Sequence, residues 1–107
     1  MSTGKDSRWR MKRWYKKVMA GNPPCAVSET MVGQVMDPCS GPVEAHHLAG
    51  RHKHTKYDAS LGMPLCAHHH RHSTVCSPHA APVAFRVWLE TYHPDLAEEV
   101  KQHNRRK

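Results

Sequence analysis

Between Pro82 and Tyr92 the apolar residues fall at Phe85, Trp88, Leu89 and Tyr92, the three- and four-residue spacing that turns one stripe of a helix toward a core. This segment is predicted to be an amphipathic helix whose stripe is packing rather than a ligand set. His93-Pro94-Asp95 stops it and caps a last helix, Leu96 to about His103, which frays into Asn104-Arg105-Arg106-Lys107. Upstream the apolar runs are short. Val43 to Leu48 and Gly62 to Cys66 read as strands; Pro64 has no amide proton for a ladder, so the second belongs at an edge or near a turn. A helix starting about Ala67 carries the run His68-His69-His70-Arg71-His72.

Residues 5 to 17 interleave seven Lys or Arg with Trp9, Trp14 and Tyr15 and hold a single acid. As a short helix this segment turns Trp14 inward and leaves its cations in water. Gly21-Asn22-Pro23-Pro24 ends it. From Ala26 to Asp37 the apolar spacing is loose and Gly33 breaks helical phasing, predicting an irregular or hairpin-like stretch with Cys25 and Cys39 meeting at its base. Arg51 to Ser60 is a polar, basic loop. The expected organisation is a small α+β domain: a basic arm or helix over 1–20, a two-strand-plus-helix core over 21–80, and C-terminal helices over 81–107.

Composition changes this picture in one respect. Only 38% of the 107 residues are apolar, with one Phe and eight Pro, so the core is thin and a small chain of this kind needs a staple. The four cysteines supply one. Nothing at the N-terminus resembles a secretory signal and no apolar run approaches 18 residues. A cytoplasmic, reducing setting away from membranes is therefore expected, and there Cys beside His reads as zinc before disulfide.

Nine of the eleven histidines lie between His46 and His79. Cys66 and His69 have the C-x-x-H spacing that turns both side chains to one ion where a strand ends. Cys25 and Cys39, from the preceding loop, complete a structural zinc of Cys25, Cys39, Cys66 and His69, with Cys76 as competitor for Cys25. His46, His47 and His70 then remain for a second site. On a strand His46 and His47 point to opposite faces, so both serve one site only at a bent strand end.

These motifs together resemble the HNH endonuclease (ββα-metal) superfamily, and its small phage- and prophage-type members in particular. The likeness lies in Glu44-Ala45-His46-His47-Leu48, in Pro64-Leu65-Cys66-x-x-His69-His70 at a strand-to-helix junction, and in Phe85-x-x-Trp88-Leu89. It spans roughly residues 25 to 92. The resemblance implies a zinc-stapled ββα-metal fold with flanking helices and a metal-dependent cut in DNA. His47 would be the general base, while His46 and His70 would hold a catalytic divalent ion, Mg(II), Mn(II), Ni(II) or Zn(II). It also implies a bacterial or phage-infected cell. Two family features have no counterpart. The middle Asn that restrains loop and base is absent near Leu61, where Asp58 or Ser60 could substitute. A further helix histidine, expected at position 74, is Thr74, with His72 nearby but turned about 200° from His70 on an α-helix.

Net charge is +7, which points to a polyanion, and DNA is the expected partner. Arg8, Arg10, Lys12, Arg13, Lys16 and Lys17 from the N-terminal segment and Arg51, Lys53 and Lys56 from the inter-strand loop are the candidate phosphate contacts, orienting DNA without reading its sequence. The same features also suit a non-catalytic, zinc-stabilised nucleic-acid-binding module. Protein partners are not specified by anything in the chain.

Overall fold

A computed structural model describes residues 4–30, 37–49 and 58–105, with side chains from 8 to 103 of these. The basic loop carrying Arg51, His52, Lys53, His54 and Lys56 lies outside the described residues.

Two strands, β1 (Val43–His47) and β2 (Gly62–Cys66), pair antiparallel with His46 opposite Met63 and His47 opposite Gly62. Strand alternation gives the sheet two different faces. Glu44 and His46 share one with Met63 and Leu65, which are buried in the core. Ala45 and His47 share the other with Gly62. Because the sheet has two strands among the described residues, Pro64 sits on an edge, as its missing amide requires.

Helix α1 (Gly4–Val18) covers the His47 face. Met11, Trp14 and Val18 follow helical spacing on its inner side, and Trp14 is 3% exposed. Gly62 permits this approach, since a Cβ there would run into Val18 and lie 3.0 Å from Trp14 Cζ2. The remaining Lys and Arg of α1 from Arg8 onward are exposed.

The other face carries the core. Helix α2 (Pro82–Tyr92) starts with Pro at its first turn and buries Phe85, Trp88 and Leu89. Helix α3 (Pro94–Arg105) follows after His93 and contributes Ala97. These residues pack with Val27, Met63, Leu65, Cys66 and Cys76. Trp88 Nε1 donates to Thr30 Oγ1 at 3.2 Å, tying α2 to the short 3₁₀ turn Ala26–Glu29. The expected hairpin-like stretch after Cys25 thus begins as a 3₁₀ turn.

The histidine run departs from expectation. It forms a wide, π-wound turn, His68–His72, closed by Ser73 N donating to His68 O at 2.7 Å, rather than an α-helix from Ala67. Ser73 ends the turn. Its hydroxyl accepts from the amides of Val75 and Cys76 at 3.1 and 3.0 Å, offering the backbone an alternative to helix continuation. The chain then turns back through Ser77, whose hydroxyl donates to His70 O at 2.9 Å and accepts from Ala80 N at 3.1 Å.

Candidate metal centres and the adjoining cavity

The first centre gathers at the start of the π-wound turn. Gly41, with φ +82°, places its Cα where a Cβ would press on Ala67, and the loop then presents Ser40 O and Pro42 O to the amides of His68 and Ala67 at 3.0 and 2.8 Å. This closeness brings Cys39 to Cys66. One donor atom each from Cys25, Cys39, Cys66 and His69 lies within 4.8 Å of the others. The sulfurs of Cys25, Cys39 and Cys66 stand 3.7, 3.6 and 3.2 Å from His69 Nδ1. These are the four residues expected from spacing, and together they can hold a metal ion. Cys76 is buried in the core and is not one of the four.

Burial and mutual proximity shift all three thiols of this cluster. Burial pushes the Cys25 thiol up, and burial with the adjacent Cys66 and Cys25 pushes Cys39 up to about 12. Cys66 is also desolvated, yet the amides of His69 and Ser40 stabilise its thiolate enough to bring it below the ordinary thiol range. Asp37 extends the group outward. Its carboxylate accepts from Ser73 Oγ and pairs with His68 Nε2 at 2.8 Å. Its Oδ2 is 3.3 Å from the fully buried His69 Nε2, close enough for an ion pair although without hydrogen-bond geometry. That proximity favours a proton on Nε2 and leaves Nδ1 to face the sulfurs.

The second centre uses the next residue in the chain. His70 turns away from the cysteines and meets His46 from β1 and His79 from the returning loop, ring centroids 5.0 Å from each. His46 and His79 are 5.5 Å apart, and one nitrogen from each of the three can come within 4.8 Å of the others. His70 Nδ1 donates to Glu44 Oε1 at 2.8 Å, so Nε2 carries the lone pair. Arg71 Nε forms an ion pair with the same oxygen at 3.3 Å. Burial, and then the neighbouring His70, His79 and His47, hold His46 down to about 3. Burial, with His70 and Arg71, also lowers His79. His46 and His79 are thereby held as neutral imidazoles.

His79 was not among the residues singled out by spacing. The signal existed as a histidine after Ser77-Pro78, but only the early exit from the helical path brings it back to His70. His72, by contrast, is exposed and joins neither centre.

These three rings border a cavity of about 440 Å³ whose wall also includes Met11, His47 and Arg71. His47 stacks on Trp14 with ring centroids 3.8 Å apart and planes 6° from parallel. Thus the tandem histidines do diverge to opposite sheet faces, yet both edge one cavity at the strand's end. Trp14 Nε1 donates to Asp58 O at 3.1 Å, while the Asp58 carboxylate is turned to Ser60, accepting from its amide and hydroxyl at 3.0 and 2.6 Å.

No helix among the described residues is long and apolar enough to cross a membrane. No protein-family model matches the chain, and no curated protein or solved structure matches it either.

Proposed function

We propose that the protein is a zinc-stapled HNH-type endonuclease that hydrolyses phosphodiester bonds in DNA with the help of a second, divalent ion. The observation that carries this reading is the convergence of His46, His70 and His79 at the wall of a cavity that His47 also borders.

The first donor set suits zinc. Tetrahedral Zn–S bonds of about 2.3 Å and Zn–N bonds of about 2.0–2.1 Å put sulfur and nitrogen roughly 3.6 Å apart. The observed 3.7, 3.6 and 3.2 Å bracket that value. Three sulfurs and one imidazole fill four positions and leave none for substrate, the pattern of a structural ion.

The second set suits a catalytic ion, since three imidazole ligands leave positions open toward the cavity. When bound there, a divalent ion supplies charge stabilisation to the phosphate oxygens and the leaving oxygen. His47 takes a proton from water as the water oxygen bonds to phosphorus, and the bond to the leaving oxygen breaks, that oxygen collecting a proton from solvent. Glu44 holds His70 in the tautomer with Nε2 free. Arg71, on the cavity wall, and the cations of α1 hold the phosphates in place.

Trp14 does the work of the absent family Asn. Its indole N–H fastens the end of the inter-strand loop through Asp58 O, and its ring fixes the plane of His47. A restrained base is what that Asn provides elsewhere in the superfamily.

The test is plasmid nicking with Mg(II), Mn(II) or Ni(II), using chelated protein as control. His47→Ala is expected to lower the nicking rate by about 10²–10⁴-fold while zinc content and circular dichroism stay unchanged. Undiminished nicking by this variant removes His47 from the mechanism. DNA binding by the wild type without nicking under any of these ions favours the binding-module reading instead.

A further inference from the structure

The exposed side of α1 carries more than charge. Trp9 is 58% exposed, an unusual place for an indole in a helix whose inner side already buries Trp14. Arg13, one turn on, lies over its ring with the guanidinium carbon 5.4 Å from the centroid. Concave surfaces of about 210 and 410 Å³ adjoin this pair, one with Lys12 and Lys16, the other with Arg10, Trp14 and Lys17. An aromatic plane held by a cation, with cationic grooves beside it, suits a nucleobase stacked on the ring and phosphates passing along the grooves.

Duplex DNA does not use such a platform, because its bases are already stacked and present only their edges in the grooves. An unpaired nucleotide does. Trp9 is five residues from Trp14, whose ring stacks on His47, and two from Met11 on the cavity wall. At 1.5 Å rise and 100° per residue, Trp9 lies roughly 7.5 and 3 Å from them along the axis but about 140° and 160° round the helix. A strand running from a base on Trp9 to a phosphate in the cavity therefore passes round one helix about 10–12 Å wide, a span of a few nucleotides.

We propose that Trp9 and Arg13 form a stacking platform for an unpaired base, so that the preferred substrate is DNA with a single-stranded segment next to the cut, such as an overhang or flap. This rests on the nuclease reading for the position of the cut but not for the binding itself.

The experiment measures fluorescence anisotropy of labelled DNA with the full zinc-loaded chain and no added divalent ion, so that binding is read without cleavage. Three DNA probes share one sequence, a single strand, a blunt duplex and a duplex with a single-stranded overhang, and a single-stranded RNA of that sequence is measured beside them. At about 0.15 M salt the wild type is expected to bind the single strand and the overhang at least tenfold tighter than the blunt duplex. Trp9→Ala is expected to lower affinity for those two probes by about tenfold and for the blunt duplex by less than twofold, with Trp9→Phe recovering most of the loss. Equal affinity for all three probes, or a Trp9→Ala loss that is the same for duplex and single strand, overturns the proposal. So does a tenfold preference for RNA of the same sequence, as regards DNA. Selective, Trp9-dependent binding by a protein that never nicks would sink the nuclease reading and leave this platform standing. Nicking of blunt duplex that Trp9→Ala leaves untouched, without selective binding, would do the reverse.

Discussion

His69 and His70 are adjacent, yet one closes a buried knot of sulfur and the other opens onto a cavity. The His69 cluster has all its donors turned to one another, and only Cys39 of the four is exposed. The His70 cluster has three donors, a carboxylate behind one of them and a cavity of about 440 Å³ in front. Identical side-chain chemistry is therefore suited to different ends according to how many positions around an ion the protein could fill. A filled set suits a staple for a thin core, and a partly filled set suits chemistry on a bound substrate.

The sharpest way to break this contrast is to remove a donor from the closed knot. If the knot holds zinc as proposed, Cys66→Ser is expected to lose the ion and with it the near-UV circular dichroism, because zinc binding in small domains is worth about 10–16 kcal/mol, as much as a whole domain's stability. A variant that lost zinc and stayed folded would show that the knot is no staple. Donor removal from the open set should spare the fold. His79→Ala and Glu44→Gln are each expected to keep zinc and circular dichroism while raising the divalent-ion concentration for half-maximal nicking, Glu44→Gln by about 10–100-fold. An unchanged ion requirement in His79→Ala would return that centre to two ligands.

Trp14 sharpens the contrast from the other side of the sheet. On the proposed mechanism Trp14→Leu is expected to lower kcat by roughly 10–100-fold with KM little changed, since it releases His47 from its plane. Trp14→Phe, which keeps the stack and loses the bond to Asp58 O, should recover much of that rate. Equal losses in both variants would assign Trp14 to packing alone.

The smallest effect is a pH slope. His46, held down to about 3, and His79, also lowered, are neutral when folded but take up protons near 6.5 once unfolded. Their contribution is complete above about pH 6.5 and is lost as pH falls toward the folded values. Urea midpoints of zinc-loaded protein without added divalent ion should therefore drop as pH is lowered from 7 toward 5. His46→Leu should flatten that slope, and an unaltered slope would show that His46 is not the group responsible.

Much of the fold was legible because it rests on local periodicity. The stripe Phe85, Trp88, Leu89 marks α2, and the runs Val43 to Leu48 and Gly62 to Cys66 mark strands observed over Val43–His47 and Gly62–Cys66. Trp14 is buried and the cations of α1 from Arg8 onward are exposed, as helical spacing implied. The grouping of Cys25, Cys39, Cys66 and His69 was legible from ligand chemistry, because few residue types bind soft metals and this chain has four cysteines.

What the chain alone determined, then, is which residues are capable of the chemistry and which segments repeat at helical or strand period. Tertiary structure decided how they meet. The choice of Cys25 over Cys76, the arrival of His79 beside His46 and His70, and the clasp of Trp14 on His47 and Asp58 all join residues from separate elements. The arrival of His79 hangs on a backbone path set by competition between hydrogen bonds at Ser73 and Ser77, where a side-chain hydroxyl diverts the chain from a helix, while the other two hang on close approaches at Gly41 and Gly62. Periodicity carries no record of that competition, because its outcome turns on amides and carbonyls that every residue type shares.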